Sequence, residues 1–79
     1  MIPAKIQSIM LDVRLKENSV LDFEDVLNTY LSDTYELNEF QANLCLIEAK
    51  TRHCEMEQIY FLARDYAIFA NKIIKHTVT

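Results

Sequence analysis

The chain has 79 residues, twelve acidic and eight basic, for a formal net charge of −4. That is one domain's worth of sequence, and a core this small rarely supplies more than ~3–5 kcal/mol without a staple or an oligomer. There is no glycine and Pro3 is the only proline, so the tight turns on which hairpins and sheets depend are missing. With half the residues apolar and abundant Leu, Ala, Ile, Glu and Lys, the composition predicts an all-α fold. The expected form is a small bundle or hairpin of three to four helices with a long C-terminal helix, filling residues 1–79 as one domain.

The first helix is expected to begin at Pro3, a residue suited to a first turn. Ile2, Ile6, Ile9, Met10 and Val13 recur at helical spacing and form one stripe. Leu11 and Leu15 fall on the opposite side, and the helix should fade near Glu17 and Asn18. Lys5, Asp12 and Arg14 interrupt any signal-peptide core in this segment.

A second helix is signalled by Ser19, with Asp22 three residues on as in a capping box. Asp22, Glu24 and Asp25 lie in its first turns, where the helix dipole favours negative charge. Its apolar stripe is Phe23, Val26, Leu27, Tyr30 and Leu31. Asn38 with Gln41 marks the next start. In that third segment Phe40, Leu44 and Ile47 share a face, with Leu46 and Ala49 beside them.

Beyond this point the pattern supports two arrangements. A short turn near His53 would give a fourth helix from about Cys54 to Lys75. Alternatively, one helix could run continuously from about 38 to 76, because Leu46, Ala49, His53, Met56, Tyr60, Ala63, Ala67, Ala70 and Ile74 make a heptad seam. In the C-terminal helix the apolar face is broad, and Phe61 and Ile68 fall in the polar arc among Asp65 and Lys72. The small residues Ala63, Ala67 and Ala70 would admit a second helix closely. This segment is too short and too charged to span a bilayer, which takes ~20 residues.

No chemistry-bearing motif emerges. Cys54 adjoins His53, but neighbours on a helix point about 100° apart. Cys45 and Cys54 suit reduced thiols in a cytoplasmic compartment. His53 and Glu57 are two potential ligands where a metal site needs more, and glycine-rich phosphate loops are absent. An enzyme, a cofactor and a bound metal are therefore not expected.

Charge is uneven. From Glu17 to Ala49 there is no Lys or Arg, whereas eight carboxylates occur, which disfavours nucleic acid. A helix-turn-helix regulator would have to use Lys50, Arg52 and His53, or Lys72, Lys75 and His76. The surplus apolar surface points instead to a non-catalytic protein-binding module: an adaptor, inhibitor, co-chaperone or self-association module. The expected interface is Phe61, Ile68, Asp65, Lys72, Leu11 and Leu15, facing another protein or a second copy in a homodimer. Asp22, Glu24 and Asp25 are the expected acidic docking surface for a basic partner.

Overall fold

Four helices follow one another in the computed structural model, which describes residues 1–77. They are α1 (Ala4–Arg14), α2 (Val20–Tyr35), α3 (Glu39–Arg52) and α4 (Met56–Thr77). No strand occurs among the described residues. Helix α2 packs on each of the other three, and α3 and α4 form the most extensive pair.

Both expected capping boxes are present. The Ser19 amide donates to Asp22 Oδ2 at 2.9 Å, and the Asp22 amide donates back to Ser19 Oγ at 3.3 Å. At α3 the Asn38 amide donates to Gln41 Oε1 at 2.9 Å and the Gln41 amide to Asn38 Oδ1 at 2.8 Å. Each box satisfies two amides that a helix start leaves without intrahelical partners. Pro3 is the N-cap of α1, so the helix proper begins one residue later than the composition suggests.

Two helices end without the usual residue. Lys16 (φ 61°) and Glu36 (φ 56°) occupy the left-handed region, where a side chain costs about 1–2 kcal/mol. Both positions close a Schellman motif: the Glu17 amide donates to the Asp12 carbonyl at 2.9 Å and the Leu37 amide to the Ser32 carbonyl at 3.1 Å. Leu37, beyond the second cap, is buried and supplies the apolar contact that accompanies the motif. In a chain with no glycine, carbonyl satisfaction and core contact outweigh the backbone cost. Glu36→Gly is therefore expected to raise the stability by about 0.5–1 kcal/mol, measured by urea unfolding. The Glu36–Lys75 pair it removes is long, at 3.7 Å, and exposed, so its loss subtracts little.

The long continuous C-terminal helix does not form. The chain leaves α3 at His53, whose backbone is extended (φ −137°, ψ 149°), and re-enters helix at Met56. The heptad seam folds back on itself: Leu46 and Ala49 on one arm and Tyr60, Ala63 and Ala67 on the other are all buried in one core. A single helix of that length would extend about 57 Å and leave both arms of the seam in water, whereas the molecule's longest dimension is 46 Å. Tertiary burial thus overrides a locally unbroken helical pattern. No helix among the described residues is long and apolar enough to cross a membrane.

The core takes Ile6 and Met10 from α1, Phe23, Leu27 and Leu31 from α2, and otherwise mostly small residues from α3 and α4. Ala42, Ala49, Ala63 and Ala67 are fully buried, and small side chains on both arms let α3 and α4 approach closely. The small residues that could have admitted an external helix are thus largely used within the chain. The ends are tied by polar contacts. Arg14 donates to both carboxylate oxygens of Glu57, at 2.6 and 2.7 Å, joining α1 to the start of α4. That pairing holds the Glu57 carboxyl below its usual range. Near the other end, Asn71 Nδ2 donates to the Tyr35 carbonyl at 2.6 Å.

Candidate functional site

Helix α3 is apolar on two opposite sides. At 100° per residue, Ala42, Cys45, Leu46 and Ala49 gather on one side, and Phe40, Leu44, Ile47 and Thr51 lie within about 60° of one another on the other. The first set is buried. The second faces outward, with Phe40 69%, Leu44 49% and Ile47 45% exposed. The sequence pattern puts Phe40, Leu44 and Ile47 on one face with Leu46 and Ala49 beside it; the structure keeps the first three together and sends Leu46 and Ala49 to the opposite, buried side. Because α3 is packed against both α2 and α4, its inner side is Leu46 among the small residues Ala42, Cys45 and Ala49, and Phe40, Leu44 and Ile47 are left outside.

Polar groups flank this face. Glu39 and Asn43 lie towards α2 with Glu24, Asp25, Asn28 and Thr29, lining a shallow polar cleft. Lys50 donates to Glu24 at 2.8 Å, and Arg52 pairs with Glu48 at 3.1 Å. The compact basic group that a nucleic-acid reading would use is thus matched by carboxylates. Helix α4, packed along α3, contributes two more exposed apolar side chains one turn apart, Phe69 (64%) and Ile73 (48%).

The residues expected at a partner interface are distributed differently. Phe61 is at the margin of exposure, 37%, because its ring meets Tyr60 edge-on at 5.3 Å and the Arg64 guanidinium lies 5.3 Å above it. Asp65 accepts from Arg64 at 3.0 Å, and Ile68 is half-buried while Lys72 is exposed. Leu11 on α1 and Leu15, the C-cap residue after it, are well exposed. Leu11 lines a groove with Ile2, Met10, Arg14 and Glu57, which brings it to the start of α4. Leu15, Asp65, Ile68 and Lys72 do not line that groove.

Of the expected acidic surface, Asp22 is engaged in the α2 capping box and Glu24 in its pair with Lys50. Asp25 is exposed. Among the described residues no group of three His, Cys, Asp or Glu side chains is placed to hold a metal ion. Burial pushes the Cys45 thiol up from its ordinary range, the opposite of what activates a nucleophile. Cys54 is exposed in the connection after His53.

The expected interface did not include the outward α3 face, although Phe40, Leu44 and Ile47 share a face as their spacing predicts. The signal of that face was present in the phase: Leu46 and Ile47 are adjacent, so they cannot share one face of a helix. No family model matches the chain, nor does any curated protein or solved structure. The class defined by the geometry is that of a small four-helix domain with a doubly apolar third helix.

Proposed function

We propose that this chain is a small acidic protein-binding module that works without catalysis, as an adaptor, inhibitor, co-chaperone or self-association unit. The observation that carries the reading is the alignment of Phe40, Leu44 and Ile47 on the outward side of a helix whose other side is already the core. Burying a side chain of this size is worth about 1.5–3 kcal/mol relative to exposure, so a row of three represents substantial free energy available to a partner. Single exposed apolar residues are ordinary, but a contiguous apolar face rimmed by charge is the form interaction sites take. Its central aromatic and branched aliphatic groups suit a desolvated contact, and the charged flanks suit a rim.

Leu44→Asp tests the reading. The position is half in water, so the fold should change by no more than about 1 kcal/mol. A carboxylate sealed under a partner without a counter-charge would cost several kcal/mol, weakening association by about 100-fold or more. Proteins captured by immobilised wild type, the chain's own second copy included, should be lost from the variant while its circular dichroism stays helical. Identical captured sets on both would remove the α3 face as a binding surface.

A further inference from the structure

We infer that the occupant of the α3 face is a second copy of this chain, packed antiparallel about a two-fold axis; the inference rests on the protein-binding reading above. The argument is one of charge and symmetry. Across a chain of net charge −4, α3 is balanced: Glu39 and Glu48 against Lys50 and Arg52. Two copies meeting through α3 therefore bring no excess of like charge into contact. A basic partner would be drawn to α2, where Asp25 is exposed, and not to a neutral helix.

The charges are also ordered along α3. Glu39 is in its first turn, and Lys50 and Arg52 are in its last. A parallel pair brings opposite flanks of the two helices together and would set Lys50 near Arg52 of the second copy, like against like, with nothing opposite Glu39. An antiparallel pair, with the axis midway between the levels of residues 45 and 46, sets Glu39 on the same flank as Lys50 of the second copy and about 3 Å from its level. The same axis sets Leu44 beside Ile47 and Phe40 beside Thr51. Each apolar residue then meets a neighbour at its own level, the isologous arrangement that closes a dimer without leaving a surface for a third copy.

The flanks agree with this geometry. Glu39 and Lys50 are eleven positions apart on one helix, which places them within about 20° of each other around its axis. A two-fold axis perpendicular to the helix pair brings equivalent flanks together, so the acid of one copy and the base of the other meet on the same side. Lys50 already donates to Glu24, and an ammonium has further donors to share with a second carboxylate.

Light scattering on a sizing column over a wide concentration range tests this with the whole chain, and circular dichroism controls for folding. The wild type should double in mass as concentration rises. Leu44→Asp should remain monomeric and helical, with Ile47→Glu as the second variant if the first fails to fold. Glu39→Lys alone and Lys50→Glu alone should each weaken the dimer about tenfold, because one attractive contact made twice becomes repulsive. The double exchange Glu39→Lys with Lys50→Glu should restore it. A parallel pair would show none of this pattern, so single variants that dimerise as the wild type does overturn the antiparallel arrangement. A dimer untouched by both Leu44→Asp and Ile47→Glu places the interface elsewhere and overturns the inference. A wild type that stays monomeric at every concentration also overturns it; the protein-binding reading then stands or falls on whether Leu44→Asp loses other captured proteins.

Discussion

Phe23→Ala should leave most of the chain unfolded at room temperature. Phe23 is fully buried and is among the largest side chains that are. It sits on α2, the helix that contacts all the others, so no neighbour can collapse into the space without disturbing a second contact. Removing a buried phenylalanine costs about 3–5 kcal/mol, which is comparable to what a core of this size supplies in total, ~3–5 kcal/mol. Phe40→Ala makes the same chemical change on a side chain that is 69% exposed, and it should shift the unfolding free energy by about 0.5 kcal/mol at most. Far-UV circular dichroism with urea titration separates the two. Loss of helix in Phe23→Ala beside a nearly wild-type Phe40→Ala is the expected pair. A cooperative, wild-type midpoint for Phe23→Ala would mean that α2 is not the centre of the fold.

The same contrast shows which parts of the structure could be read from the chain. Helix class and helix starts were legible because they are local. Ser19 with Asp22, and Asn38 with Gln41, form their boxes within four residues, and the stripe of α2 buries Phe23, Leu27 and Leu31 as its spacing demands. Helix ends were less so. Lys16 and Glu36 adopt positive φ where the residue type advertises nothing, since the favourable contribution comes from hydrogen bonds and from Leu37 in the core. The break at His53 was also ambiguous. The residues of a continuous seam and those of a hairpin closing on itself obey the same periodicity, and only burial of both arms decides between them.

The candidate site was the least legible part for a related reason. On α3 the chain offers two apolar sides, and hydrophobicity alone favours Phe40, Leu44 and Ile47 as the core. Packing chooses Ala42, Cys45 and Ala49, small residues that let a helix held by α2 and α4 approach both, with Leu46 as the one large side chain among them. On α4 the pattern drew attention to Phe61 in a polar arc. What it could not show is that Arg64 covers that ring while Tyr60 supports it. Contacts between elements decide these matters, and a periodicity along one element does not contain them.

Stability should fall steeply as the solution becomes alkaline, and Tyr60 should carry much of the fall. Its side chain is 1% exposed, with the Tyr30 ring 6.1 Å away. Burial, and after it the neighbouring Tyr30 phenol, push the Tyr60 phenol up to about 12; burial also raises Tyr35. In the unfolded chain the phenol titrates near 10. Above that pH the unfolded state releases a proton that the folded state still holds, so rising pH favours unfolding. The contribution is therefore complete below about pH 10 and is lost as pH climbs towards about 12, on the order of 2–3 kcal/mol in all at 1.36 kcal/mol per unit. Tyr60→Phe keeps the ring in place and removes the titrating group. The variant should differ from wild type by no more than about 1 kcal/mol near neutrality and should lose less on going to about pH 11, so it gains on the wild type as pH rises. Urea unfolding of both proteins across this range measures the difference directly, since the titration of lysines and of the other tyrosines is common to both. Parallel losses in the two proteins would show that the Tyr60 hydroxyl reaches water and that the tyrosine cluster does not set the alkaline limit of the fold.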